Sequence, residues 1–245
     1  MMATVTARKA GSARSASGRP PGVRELAAQA TRDSILKAAT KVFAKHGYDG
    51  GRVEQISQAA RSYDRMIYYY FGSKEGLFIA VLEQMYARFN EAESDLKLPP
   101  DDPVASLKAI IEFMAGYYQK NPEFVTLLNA ENLHRGKHIA KSLRAREYSS
   151  PAIAVLAGVL KRGAAAGLFR DDARARDVYL MIAALGYFYV SNRYTLSAFL
   201  GEELDTPQAF AYWRGFIIDA VLRAVAVAAP AKAARSRPVL APAAG

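Results

Sequence analysis

The chain has no cysteine among its 245 residues, three histidines and a single tryptophan. Without cysteine there are no disulfides, no thiolate metal sites and no cysteine nucleophile, a composition that suits a reducing cytoplasm. Three scattered histidines leave few candidates for a nucleophile and its base, and no dinucleotide-binding glycine pattern, phosphate loop or zinc-protease signature occurs. No enzyme activity, cofactor or metal is expected. Long apolar runs are missing too. Val178–Val190 is the longest uncharged apolar-looking stretch, and it is too short to span a bilayer. No partnership with a membrane is expected, and the basic N-terminus lacks the apolar core of a secretory signal.

What is present is positive charge, unevenly spread. Residues 1–75 hold 13 Lys and Arg against 6 Asp and Glu, a net of +7, whereas the other 170 residues carry a net of only +3. An excess concentrated at one end fits binding to a polyanion. Residues 1–23 contain no acid and read as a flexible basic arm, and 230–245 read as a disordered tail. Between them the periodicity is helical throughout, which predicts an all-α protein. An N-terminal three-helix DNA-binding domain with a helix-turn-helix occupies 24–72. A bundle of longer helices, with a dimerisation surface, occupies 73–229.

Helices are expected to end at His46-Gly47 and to start at Ser73, Asp102-Pro103, Asn121-Pro122, Ser150-Pro151, Asp171-Asp172 and Thr206-Pro207. The stretch from Gly136 to Gly167 reads as two helices or one kinked helix. The fourth helix should reach about Leu98, and the last should run through Ala228. The final two helices are apolar around most of their circumference, which predicts a second buried face, a homodimer contact. Phe216 and Val221 are assigned to it.

The densest information lies in Arg52–Phe78, RVEQISQAARSYDRMIYYYFGSKEGLF. Two short helical patterns, a tight turn, three consecutive tyrosines and four basic residues fit a major-groove reader. With Ile67 and Phe71 packed inward, Tyr63, Asp64, Arg65, Met66, Tyr68 and Tyr69 lie on or beside the exposed face. Arginine can pair bidentately with guanine, and methionine can meet a thymine methyl. Tyrosine hydroxyls and Lys74 suit phosphates.

Ile67–Phe78, IYYYFGSKEGLF, resembles the hallmark of the TetR family of bacterial regulators, an Ile/Leu-Tyr-x-x-Phe, a short turn, Ser-Lys-Glu and an apolar pair. The resemblance covers about residues 30–80, and beyond that only the helical layout is similar. It implies a homodimer, an all-helical ligand-binding domain and a double-stranded, inverted-repeat operator. By position it places Arg65 and Met66 at base-reading sites with Asp64 beside them. Tyr68, Tyr69 and Tyr70 fall at backbone or flanking-base contacts, Lys74 at the phosphate lysine and Arg52 at a phosphate contact. The inter-helix turn departs from the family's Gly-apolar pair. Here it is Arg61-Ser62, both counted among the DNA-binding candidates, and Arg61 would need a left-handed backbone or a different turn.

For the effector, polar residues inside apolar stretches are the candidates: Tyr117, Tyr118, Asn129, Glu131, Asn132, His134, Tyr189, Asn192 and Arg193. Asn129–Gly136 and Tyr187–Phe199 are similar to family members that sense small aromatic or N-heterocyclic acids. Glu131, His134 and His138 have metal-ligand spacings, but Gly136 lies between the histidines and breaks the helix. The expected function is a ligand-responsive repressor. The rival readings are an activator of the same fold and an architectural DNA-binding protein without an effector.

Overall fold

The computed structural model describes residues 22–144 and 150–227. The proposed tail and all of the proposed arm except Gly22 and Val23 lie outside that range, as does Ala228. Val23 opens the first helix and so belongs to the fold, one residue earlier than expected.

Nine α-helices are described, α1 (Val23–Gly50), α2 (Val53–Ala59), α3 (Asp64–Phe71), α4 (Lys74–Ser94), α5 (Pro103–Lys120), α6 (Pro122–Leu133), α7 (Ser150–Ala165), α8 (Ala175–Leu200) and α9 (Pro207–Val225). A single 3-10 turn, Ile139–Lys141, stands between α6 and α7. Among the described residues no strand forms. One antiparallel bridge, Phe169 with Ala226, ties the α7–α8 connection to the end of α9. No described helix is long and apolar enough to cross a membrane.

The caps explain most boundaries. Ser73 Oγ accepts from the Gly76 amide (2.9 Å), Asp102 Oδ1 from Ala105 (2.8 Å) and Thr206 Oγ1 from Ala209 (3.1 Å). Each side-chain oxygen satisfies a donor that the first helical turn leaves open. Pro122 starts α6 as expected, but Asn121 does not cap it. Its amide instead donates back to the Tyr117 carbonyl (2.9 Å), closing the end of α5. Three other boundaries differ from the sequence reading. α4 ends at Ser94, α9 ends at Val225, and α8 begins at Ala175, with Asp171 and Asp172 in the turn before it. At Gly47 the backbone of α1 leaves helical geometry (φ 69°) before one more turn to Gly50.

The first three helices wrap a core of Ile35, Leu36, Phe43, Ile56 and Ile67, all at most 3% exposed. α4 belongs to both halves of the molecule. Its Leu77 and Phe78 complete that core, and its Val81, Leu82 and Phe89 run on into the bundle of α5–α9. α1 also packs on α6, so the bundle touches the N-terminal three-helix unit directly.

Candidate nucleic-acid interface and effector cavity

The α2-turn-α3 unit is held from inside. Ile67 is fully buried, and Ser57 Oγ donates to Asp64 Oδ1 across the two helices. The turn adds the Ser62 amide to the Ser57 carbonyl (2.9 Å). Arg61 adopts φ 51°, the left-handed conformation that its place in the turn demanded. The cost of that conformation to a non-glycine residue is of order 1–2 kcal/mol. Gly76 allows α3 and α4 to meet, because a Cβ there would stand 2.1 Å from the Phe71 carbonyl oxygen.

This frame presents Tyr63, Tyr68 and Tyr69 to solvent, at 71%, 52% and 76% exposure. Arg65 is exposed, with its guanidinium over the Tyr63 ring (5.2 Å). Arg52, at the start of α2, and Arg61 are exposed as well. Four other sequence candidates sit differently. The Asp64 carboxylate is turned to Ser57 and braces the motif, as suits an acid in a first helical turn. Met66 and Tyr70 are half-buried against the core. Ser62 is half-buried in the turn. Lys74 extends beside the end of α1, where its Nζ donates to the Asp49 carbonyl (3.3 Å) and lies over the Tyr48 ring (4.7 Å). Arg32, which sequence reasoning passed over, rests on the Phe71 ring at 5.0 Å.

In the bundle, a cavity of about 560 Å³ opens between α4, α5, α6 and α8. Its wall carries four tyrosines, Tyr86, Tyr118, Tyr179 and Tyr187, with Phe89, Phe124, Leu128, Ile139, Leu180, Ala183 and Ala184. Burial raises the pKa of all four phenols, that of Tyr86 to about 12, so they are neutral hydroxyls. Tyr187 donates to Asn129 Oδ1, and Asn129 Nδ2 donates to Ser191 Oγ (3.1 Å). Gly186 brings α8 close to α5, since a Cβ there would lie 3.2 Å from the Tyr118 ring.

Of the sequence-chosen effector residues, Tyr118 lines this cavity and Asn129 supports it through Tyr187. The others are placed elsewhere. Tyr117 packs edge-on against Phe89 and Phe124. Asn132 is exposed and bonds back to the Leu128 carbonyl (2.9 Å). Tyr189 stacks on Trp213 (5.2 Å) between α8 and α9, and its hydroxyl donates to the Leu204 carbonyl. Asn192 bonds the Phe188 carbonyl, and Arg193 pairs with Asp205 (2.8 Å). His134 faces the helix-turn-helix half, 3.5 Å from Asp49 and edge-on to Tyr48. Polarity within an apolar run did not pick out the cavity wall, because those groups find partners close by in the chain. The usable signal was aromatic residues spaced by fours around a small one, Tyr179, Ala183 and Tyr187.

The Glu131 and His138 considered for a metal bind each other instead. Glu131 Oε2 meets His138 Nδ1 at 2.7 Å, and its Oε1 accepts from the His138 and Ile139 amides. This buried clasp folds 134–142 back over α4. There the His138 ring packs on Tyr48 (4.3 Å) and Phe78 (5.0 Å), and Lys141 pairs with Glu75 (2.6 Å). The next residue, Ile139, lines the cavity. One short segment thus touches both the cavity and the base of the DNA-facing half.

A braced helix-turn-helix with exposed arginine and tyrosine, joined through α4 to a hollow helical bundle, defines a DNA-binding transcriptional regulator. The model for bacterial regulatory proteins of the tetR family matches residues 35–81, and the tetracyclin repressor-like C-terminal domain matches 103–221. The chain is 55% identical to the HTH-type transcriptional repressor NicS of Pseudomonas putida over 205 residues, 84% of this chain and 97% of NicS. It is 27% identical to the repressor SCO4008 of Streptomyces coelicolor over 66% of this chain and 79% of that one. A TetR transcription regulator from Haloarcula marismortui shares the fold at TM-score 0.62 and 19% identity, over 81% of this chain and all of that one. The chain belongs to the TetR family.

Proposed function

We propose that this regulator is a homodimeric repressor that a small molecule releases from an inverted-repeat operator. The observation that carries the ligand response is the 560 Å³ cavity, which falls within the size range of small-molecule sites and has the expected apolar wall with few polar groups. An architectural binder has no use for such a space. The effector class that fits a wall of tyrosine and phenylalanine is a small aromatic or N-heterocyclic compound, in keeping with the acids suggested by the sequence. The functional division falls near Gly72-Ser73, with α4 as the lever between halves.

Arg65 with Tyr68 and Tyr69 reads bases and their flanks, while Arg52, Arg61 and Lys74 anchor phosphates. The dimer forms through α8 and α9, whose Phe188, Tyr212 and Phe216 are large and exposed in one protomer. Val221 is not part of that face. It is fully buried within its own chain, so Val221→Glu would unfold the protomer, whereas Phe216→Glu tests the dimer. Coupling runs through α4 and the Glu131–His138 clasp, since a ligand pressing on Ile139 acts beside His138, Phe78 and Tyr48.

The experiment is operator binding by the purified dimer at increasing salt. Affinity should fall steeply with salt as phosphate contacts release counterions, and it should be lost on a scrambled duplex. Half-sites should lie about 34–36 Å apart or a multiple of that. Equal affinity for scrambled DNA would sink the reading. A true effector must bind the operator complex more weakly than the free protein, by the factor with which it lowers DNA affinity.

A further inference from the structure

One buried carboxylate has no evident structural task. Glu93 lies one turn beyond Phe89 on the inward face of α4, in line with Leu82 and Met85. It is 8% exposed, and its Oε2 has no hydrogen-bond partner among the described residues. It is near enough to Tyr118 and Tyr179, both in the cavity wall, for its charge to raise both phenols. Neither phenol has a hydrogen bond within the described residues. Three polar groups with unused capacity therefore gather at one part of the cavity, the two phenols in its wall and Glu93 beside them. Buried acceptors are normally paired, and one left open destabilises the fold unless something else supplies the donor.

We propose that Glu93, with Tyr118 and Tyr179, is the polar recognition end of the cavity, and that it selects a flat ring carrying a hydrogen-bond donor, a ring N–H or an amino group. This rests on the reading of the cavity as the effector site. The ring is demanded by the walls, where Phe89 and Phe124 offer aromatic faces. The donor is demanded by chemistry: burial pushes the Glu93 carboxyl up, a donor from the ligand is what holds its open Oε2 in the ionised, accepting form, and phenols can do either. No cation lines the cavity among the described residues. An acid group on the ligand would meet the charge of Glu93 at this end, so it must point away from it.

The test uses the full-length protein and matched probes, 2-pyridone against N-methyl-2-pyridone and 4-aminobenzoate against 4-methylbenzoate, titrated calorimetrically. Wild type should bind the donor-bearing member of at least one pair about tenfold or more tighter, as expected when a site built for a hydrogen bond meets an analogue that lacks it. Glu93→Leu should level the pair and melt at a higher temperature than wild type, because the unpaired acid is gone. Glu93→Gln keeps an acceptor oxygen and should retain part of the preference. Equal affinities in wild type, no binding of either donor probe, a preference that survives Glu93→Leu, or a Glu93→Leu protein that melts below wild type would each overturn the proposal. Ala183→Trp fills the cavity. Binding that persists in that variant overturns the cavity reading instead and leaves the two failures distinguishable.

Discussion

At the start of α3 and along it, Tyr63, Tyr68 and Tyr69 stand in solvent beside Arg65. In the bundle, Tyr86, Tyr118, Tyr179 and Tyr187 are turned toward an internal space. The residue type is the same and the physics is divided. In the DNA-facing half, the phenol is useful because it is wet and beside positive charge, free to reach a phosphate or a base edge. In the bundle, burial holds the phenol neutral, and its ring supplies area while its hydroxyl supplies one directed bond. The first arrangement is made by seven consecutive residues, Tyr63–Tyr69. The second requires four helices to arrive from distant parts of the chain.

If the two halves were independent, damage at their seam would be felt by one alone. Phe78 is the sharpest place to break the comparison. It is fully buried, edge-on to Phe43 of α1 (5.0 Å) and against His138 of the clasp (5.0 Å). Phe78→Ala should cost about 3–5 kcal/mol, the usual price of emptying a buried aromatic site. Thermal unfolding followed by circular dichroism should remain a single transition at a much lower temperature. Two separated transitions would show that the DNA-facing half and the bundle fold apart, and that the seam carries no coupling.

The difference also explains what could be read in advance. Ile67–Phe78 specifies its own structure locally, with an N-cap at Ser73, a positive-φ glycine at Gly72 and a close-approach glycine at Gly76. Even the strained Arg61 was visible as a missing glycine. The fold class and most helix starts were legible for the same reason, since caps and prolines act within one turn. The cavity was not. Its wall joins residues up to about a hundred positions apart, and nothing in the neighbourhood of Tyr86 or Tyr179 says which other helix it will face. Asn132, Asn192 and Arg193 looked like ligand contacts because their local partners, two backbone carbonyls and Asp205, are invisible until the helices are built. Asp64 was misplaced on a smaller scale, because a seven-residue reach back to Ser57 crosses a turn.

A smaller effect would sharpen the division of labour within the DNA-facing half. Arg65 is exposed and tied only to a neighbouring ring, whereas Lys74 is fixed to Asp49 and Tyr48 at the end of α1. Arg65→Ala should relax base preference at one position per half-site, at about 1–3 kcal/mol. Lys74→Ala should weaken all sequences alike and reduce the salt slope by about one. Binding to an operator library at several salt concentrations separates these outcomes. Identical profiles would mean that readers and anchors are not distinct on this surface.

The smallest effect tests whether the DNA-facing half carries strain for the sake of charge. Arg61 occupies a left-handed backbone conformation at φ 51° while its side chain stays exposed next to α3. Glycine takes that conformation freely, so Arg61→Gly relieves about 1–2 kcal/mol of strain. Glycine also loses more backbone entropy on folding, about 0.5–1 kcal/mol. The balance leaves the variant equal to wild type or more stable by up to about 1 kcal/mol. The same change removes a positive charge from the face that meets DNA. Operator affinity should therefore drop, with a salt slope shallower by about one, while the melting temperature holds or rises. Melting curves and salt titrations on one preparation decide it. A variant that binds DNA as wild type does would make Arg61 a tolerated accident of the turn, and one that melts lower would mean that its side chain holds the turn together.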